Sequence, residues 1–276
     1  MSNQLPKGNK HATNKRRKFR KSNDDNATQN DLIFGLHAIQ AALELPVSRV
    51  TEIYLADERH DARADTLINA AKQHSISLKK VDRDQLDEMA PDARHQGAIA
   101  RCTPLKELDE TDLFKLVEQL GDGDTAALLL ILDGVQDPHN LGACLRTAEA
   151  AGAHAVIAPK DRASGLTSTA MKVSSGSAER LPFIQVTNLA RVLRELQQLG
   201  VWLVGTSGDS ESTLFEADLK GPLAVILGAE GRGIRRLTRE HCDQVIYIPM
   251  QGGAESLNVS VAAGVCLFEA ARQRSL

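Results

Sequence analysis

The sequence predicts an α/β protein whose C-terminal half is a parallel sheet with crossover helices. Three observations carry this. Ala127–Leu132 is an unbroken apolar run, as expected of a strand buried on both faces. Further short apolar strands, at His154–Ala158, Val201–Gly205, Leu223–Leu227 and Val245–Ile248, alternate with helical segments at Leu141–Ala151, Leu189–Leu199 and Ser256–Arg272. Polar or glycine-rich loops follow three of these strands, at the carboxyl ends where open parallel sheets bind ligands.

The elements follow in order. Residues 1–30 carry eight cations and two anions, a charge of +6, which leaves −9 for the rest of a chain whose formal net charge is −3. This stretch is rich in Asn, Ser and Gln and has too few apolar groups to offset its ordering entropy, so it reads as a disordered basic arm. It suits an electrostatic tether to nucleic acid, or a solubilising tail without a specific partner. Residues 31–104 read as a small α/β unit: helix Leu36–Leu45 stopped by Pro46, strand Thr51–Ala56, helix Asp61–His74, and short strands Ile76–Val81 and Ile99–Cys102. Residues 105–124 read as a linker, with a helix over Leu105–Leu120 ending in Gly121-Asp122-Gly123-Asp124. Residues 125–276 form the parallel-sheet unit.

Composition sets outer bounds. The 276 residues are 42% hydrophobic and 25% charged, as in soluble globular proteins. Aromatics are only 3%, so the core must be Ala, Val, Leu and Ile. The four cysteines lack any C-x-x-C pair, which argues against a disulfide scaffold, a zinc ribbon and a thioredoxin site. No apolar stretch is long enough to span a bilayer and no secretory h-region is present, so the expected location is the cytoplasm.

The first strand-end loop runs Asp133-Gly134-Val135-Gln136-Asp137-Pro138-His139-Asn140 into a helix carrying Arg146 in its second turn. Asn140 is placed to N-cap that helix or to offer donors where an anion is welcome. The second is Gly228-Ala229-Glu230-Gly231-Arg232-Gly233. Its G-x-x-G-x-G spacing is neither a dinucleotide fingerprint nor a P-loop, and Glu230 disfavours phosphate, so it suits a ligand of little negative charge or a carboxylate that orients an arginine. The third runs Pro249-Met250-Gln251-Gly252-Gly253-Ala254-Glu255-Ser256-Leu257-Asn258. Here Ser256 is the expected N-cap, and Asn258, inside the first turn, is a local misfit of the kind expected at a functional site.

These three segments, in this order and at these strand ends, resemble the three motifs of the SpoU family of RNA 2′-O-ribose methyltransferases. Phe34-Gly35-Leu36-His37-Ala38 and His95-Gln96-Gly97 resemble that family's substrate-binding domain, and Leu237-Thr238-Arg239-Glu240-His241-Cys242-Asp243 adds to the likeness. The resemblance spans about residues 31–276 and is strongest to members that methylate a guanosine of the 23S rRNA peptidyl-transferase P loop. It implies a SPOUT-type C-terminal domain threaded into a deep trefoil knot and an N-terminal L30e-like α/β domain. It implies a homodimer with 23S rRNA as partner, and S-adenosyl-L-methionine as cofactor, held by Gly228, Ile248 and Leu257 with Gly205 and Thr206 nearby. The implied catalytic set is Asn140, Arg146, Glu230, Ser256 and Asn258. Arg146 would fix the phosphate beside the reacting ribose, with that phosphate or Arg146 itself as proton acceptor. Neither metal nor membrane is implied. The rival readings are 2′-O-methylation of another rRNA or tRNA site, an RNA-binding assembly factor without catalysis, which would lose the loop polar groups, and a nicotinamide-dependent oxidoreductase, which would need G-x-G-x-x-G after the first strand.

Overall fold

The computed structural model describes residues 32–45, 48–91, 93–105, 107–121, 126–229 and 231–276. The basic arm lies outside them. The N-terminal unit runs β1 (Leu32–Phe34), α1 (Leu36–Leu43), β2 (Val50–Ala56), α2 (Ala62–Gln73), β3 (Ser77–Val81), α3 (Arg83–Met89) and β4 (Ala98–Cys102). Its four-stranded sheet has the order β1-β4-β2-β3, with β4 antiparallel to both neighbours and β2 parallel to β3. Asp61 starts α2 as expected, its carboxylate accepting the N–H groups of Arg63 and Ala64.

α4 is Glu110–Gln119, shorter at its start than the helix expected over 105–120. Asp109 sets the boundary: its carboxylate accepts from the N–H groups of Thr111 and Asp112, and Asp112 accepts from Asp109 N–H. Leu113 and Val117 of α4 are buried in the core under the large sheet, and Leu108 bridges to Ile184.

The C-terminal unit continues β5 (Leu128–Asp133), α5 (Pro138–Ala150), β6 (Ala155–Pro159), α6 (Ser168–Val173), α7 (Ser177–Arg180), β7 (Phe183–Val186), α8 (Leu189–Gln198), β8 (Trp202–Thr206), β9 (Ser212–Thr213), β10 (Leu223–Gly228), α9 (Arg236–Glu240), β11 (Gln244–Tyr247) and α10 (Val259–Arg274). Every pairing in the seven-stranded sheet is parallel, in the order β7-β6-β5-β10-β8-β11-β9. Side chains of β5 alternate between two cores. Leu128, Leu130 and Leu132 pack toward α5 and α10, whereas Leu129 and Ile131 pack toward α4 and α8. This period of two is what a doubly covered parallel strand requires. β10 inserts between β5 and β8, so strand order reverses beside β5, the position at which such sheets form ligand crevices.

Two side chains lock the chain end to this sheet. Arg274 donates to the carbonyls of Ala126 (2.8 Å) and Ala127 (2.9 Å) ahead of β5, and Gln273 bonds Leu219 N–H (2.9 Å) and Ala217 C=O (3.1 Å). His154, at the neighbouring strand start, accepts from Leu128 N–H through Nδ1 (3.0 Å). Burial, then the charge of Arg274, hold its imidazole below the ordinary value of 6.5. The unfolded chain therefore binds the proton first as pH falls. Stability to urea should decline as pH drops below about 6.5, and His154→Gln should flatten that part of the decline. Equal pH slopes for the two proteins would contradict the assignment.

Candidate active site

Three loops meet beyond the strand ends. The segment after β8 (Thr206–Asp209), the glycine loop after β10 (Gly228–Gly233) and the segment after β11 (Ile248–Leu257) line one cavity of about 380 Å³. Leu227, Ile248, Leu257, Val259 and Ala262 supply apolar wall, and Gly228, Gly231 and Gly233 supply backbone. Of the residues expected to hold a cofactor, Gly228, Ile248, Leu257 and Thr206 line this cavity. Gly205 sits one residue behind it, where a Cβ would meet Cys242 Sγ at 2.6 Å and Ile234 Cδ1 at 2.9 Å, so its lack of a side chain serves packing.

Gly228 has a different reason for being glycine than ligand approach. A Cβ there would lie 1.9–2.2 Å from the backbone of Gly233 and Ile234. The loop folds back on its own start, with Gly233 N–H bonded to Ala229 C=O at 2.9 Å, and Gly231 and Gly233 take the positive φ values this turn needs. The carboxylate of Asp133, at the end of β5, anchors the far side. It is wholly buried, accepts Arg235 N–H (2.8 Å) and Nε (2.6 Å), and pairs with Nη2 at 2.5 Å. Sequence reasoning missed this pair; an acid closing an otherwise apolar buried strand was its one local signal.

A second tether was also missed. Arg239 Nη1 donates to both carboxylate oxygens of Asp209 (2.7 and 3.0 Å) and to Ser207 Oγ (3.2 Å). The Ser207 hydroxyl and then this guanidinium hold the Asp209 carboxyl below the usual range. Asp209, one of two acids in the cavity lining with Glu255, is thus neutralised in place. Asp243, from the same recognised segment as Arg239, accepts from Leu203 N–H (2.8 Å) and Gln197 Nε2 (2.7 Å), clamping β8 to the α9–β11 turn.

The helix starts exchange the roles expected for two asparagines. Asp137 caps α5, with Pro138 in its first turn, and Asn140 lies inside that turn. Asn258, not Ser256, caps α10: its Oδ1 accepts Ser260 N–H (2.9 Å) and Oγ–H (2.6 Å). Asparagine is favoured at an N-cap, so Asn258 is no local misfit. Its Nδ2 donates to Asn140 Oδ1 at 2.9 Å, joining two helix starts 118 residues apart. Ser256 is exposed and lines the cavity, and Asn258 is flanked by the cavity residues Leu257 and Val259. Glu230 falls outside the described residues.

Arg146 lies in the third turn of α5, exposed, with no hydrogen-bond or ionic partner among the described residues. It does not line the cavity. Six residues beyond Asn140, it stands about 9 Å further along the axis and about 120° round the helix. The structure therefore pairs Asn140 with Asn258 beside the cavity and leaves Arg146 on a separate face. Burial pushes the thiols of Cys144 and Cys266 up to about 12 and that of Cys242 to about 11, which removes these three as nucleophiles at neutral pH. Among the described residues no group of His, Cys, Asp and Glu could hold a metal ion.

The loop geometry gives a direct test. Gly228→Ala should lose about 2 kcal/mol of stability in urea, because a backbone collision cannot be relieved by a rotamer change. Affinity for S-adenosyl-L-methionine should fall with it, since the displaced loop is a cavity wall. Gly252→Ala, in open space, should change stability by no more than about 0.5 kcal/mol.

Family models match nearly all of the described chain. The SpoU rRNA methylase family model covers residues 127–268, and the RNA 2′-O ribose methyltransferase substrate-binding model covers residues 32–108. Two relatives named 23S rRNA (guanosine-2′-O-)-methyltransferase RlmB are similar along most of their length. The one from Photobacterium profundum is 53% identical over 247 residues, 90% of this chain and 99% of the relative. The one from Escherichia coli is 52% identical over 246 residues, 89% of this chain and 100% of the relative. Among solved structures, an RNA 2′-O ribose methyltransferase superposes with a TM-score of 0.72 at 30% identity, covering 89% of both chains. The SpoU methyltransferase AviRb from Streptomyces viridochromogenes, in complex with AdoMet, superposes with a TM-score of 0.72 at 25% identity, covering 88% of this chain and 90% of its own. The chain belongs to the SpoU family of rRNA methylases.

Proposed function

We propose that the protein transfers a methyl group to the ribose 2′-hydroxyl of a guanosine in 23S rRNA, in the peptidyl-transferase P loop. The observation that carries this is the convergence of the segments after β8, β10 and β11 on one cavity, with the Asn258–Asn140 hydrogen bond tying the loop after β5 to its edge. The RlmB relatives' reaction supports the choice of RNA and of guanosine.

The cavity suits S-adenosyl-L-methionine. Its aliphatic wall of Leu227, Ile248 and Leu257 fits a flat heterocycle, and its backbone loop lets that ring lie close. When bound, this cofactor supplies an electrophilic methyl group. The protein's own residues have the rest to do. A ribose hydroxyl is a weak nucleophile that must lose its proton as the new bond forms. In this reading Ser256, Asn258 and Asn140 bond the ribose and hold the hydroxyl in line, which is mostly a problem of positioning. Arg146 binds the adjacent phosphate and lowers the cost of the developing alkoxide, and the role left to Glu230 is to orient Arg146 or Asn140. A guanidinium rarely gives up its proton, so the phosphate that Arg146 holds is the better acceptor.

The site lies close to a homodimer interface. On α10, Val261 and Phe268 are exposed and seven residues apart, with half-buried Val265 between them, forming one apolar stripe. α10 packs on α5, the helix of Arg146, so a second chain on this stripe would approach the unpaired guanidinium. The strand order also suits a trefoil knot. β10 and then β11 insert between strands already laid down, and the chain returns past both loops to α10. A crystallographic chain trace without a thread-through would remove the knot.

Two measurements test these readings. Arg146→Ala should lower tritiated-methyl transfer to unmodified 23S rRNA by about 100- to 1000-fold while cofactor affinity stays within about twofold; activity within threefold of wild type would exclude the role. Phe268→Glu should convert a dimer to a monomer in light scattering at micromolar concentration. A wild-type protein that already scatters as a monomer would refute the interface.

A further inference from the structure

His95-Gln96-Gly97 is, with Phe34-Gly35-Leu36-His37-Ala38, one of two recognised motifs that the cavity beyond the large sheet leaves unexplained. It stands on the N-terminal unit, where the end of β2 meets the start of β4. There it borders an open cleft of about 580 Å³ lined also by Glu58, Arg59, His60 and Arg83. This cleft shares no lining residue with the cofactor cavity.

Gln96 has φ +51°, a left-handed conformation that a glycine would adopt without strain. Of the other non-glycine residues at positive φ, Ser75 and Ser175 follow helix ends, where this conformation is common, and Arg162 lies in the loop between β6 and α6. Gln96 ends no helix. Its backbone is held from several sides. Buried His95 accepts Gly97 N–H through Nδ1 (3.1 Å), so its Nε2 carries the proton and donates to Asp87 (2.8 Å). Gly97 C=O accepts from Ala56 N–H at 2.9 Å, and Gln96 C=O accepts from Arg59 Nη1. The scaffold thus imposes strain on a residue whose side chain is exposed and whose carboxamide has no hydrogen-bond partner among the described residues. Strain that the surroundings enforce, on a side chain with no structural task, marks a functional position.

The charges around it are already spent. Arg59 Nε donates to Asp61 (2.7 Å), and Arg83 Nη1 to Glu58 (3.2 Å). A phosphate clamp would leave its guanidinium groups free of carboxylates. Here Arg59 is a fixed, neutralised plane beside a free carboxamide. Flat guanidinium plus carboxamide is the pairing that recognises an unstacked base, one by its face and the other by its edge. We propose that this cleft takes one unpaired base of the RNA substrate, stacked on Arg59 and read at its edge by Gln96. The inference rests on the RNA substrate assigned above.

Gln96→Gly tests it without endangering the fold, because glycine relieves the strain while removing the reading group. With unmodified 23S rRNA transcript, the variant should raise KM about tenfold. Its kcat, its S-adenosyl-L-methionine affinity and its thermal midpoint should not fall. Fluorescence anisotropy with a labelled fragment of the same transcript should show the same loss of binding. A KM and a dissociation constant within twofold of wild type would overturn the base subsite, as would a loss of kcat or of thermal stability with KM unchanged. If the wild-type protein methylated no 23S rRNA, the functional reading would fail instead. The anisotropy comparison would still decide the cleft.

Discussion

Asp133 ends β5, beside the central strand β10, with a carboxylate that solvent does not reach, and both ends of the glycine loop are tied to it. A buried carboxylate is costly unless paired and hydrogen-bonded. Arg235 meets both demands, by its guanidinium and by its own backbone N–H. That fixes the chain just beyond the glycine loop relative to β5. The loop start is fixed at Gly228 by its register with Asp133. With both ends tied to one residue, Gly228–Gly233 has to close on itself, and the contact that excludes a Cβ at Gly228 is the result. The cavity wall is therefore set before any ligand arrives.

The layers beneath obey a simpler constraint. With aromatics scarce, close approach of helices and strands is reached by small residues rather than by large interlocking ones. Gly142 lies in α5 despite the helix cost of about 1 kcal/mol, because a Cβ there would meet Ala170 C=O at 2.6 Å and Val173 Cβ at 2.7 Å. α5 is thereby pressed between α6 and α10, and the first turn of α5 comes within hydrogen-bond reach of the cap of α10. Packing in the middle of the helix places the amide pair at its end.

This division explains what the sequence could reveal. Buried parallel strands such as Leu128–Asp133 and Leu223–Gly228 announce themselves by unbroken apolar runs. β7 and β9 do not: they hold four and two residues, too few for a period to emerge. The starts of α5 and α10 were legible only to within a turn, because Asp137, Asn140, Ser256 and Asn258 are all competent caps. The choice fell to tertiary contacts, which turned Asn258 into a cap and spent its Nδ2 on Asn140. Of the loops that line the cavity, those after β10 and β11 could be recognised as motifs, whereas the segment after β8 could not, and the recognised loop after β5 lies outside the lining. The tethers could not be recognised, since Asp133 and Arg235 are 102 residues apart and Asp209 and Arg239 are 30 apart. No local pattern pairs charges at such separations.

The distribution of satisfied and unsatisfied polar groups fits a reaction whose main demand is alignment. Asp133 is matched by Arg235, Asp209 by Arg239 and Asn258 by Asn140. Groups bound in this way need no reorganisation when substrate enters, and preorganisation of that kind is the larger part of electrostatic catalysis. Arg146 is the exception, a charge on a rigid helix with no described partner. An isolated exposed guanidinium contributes nothing to the fold and keeps its full capacity for a bidentate phosphate contact. Under the reaction proposed above, RNA would bring the anion that this guanidinium lacks among the described residues.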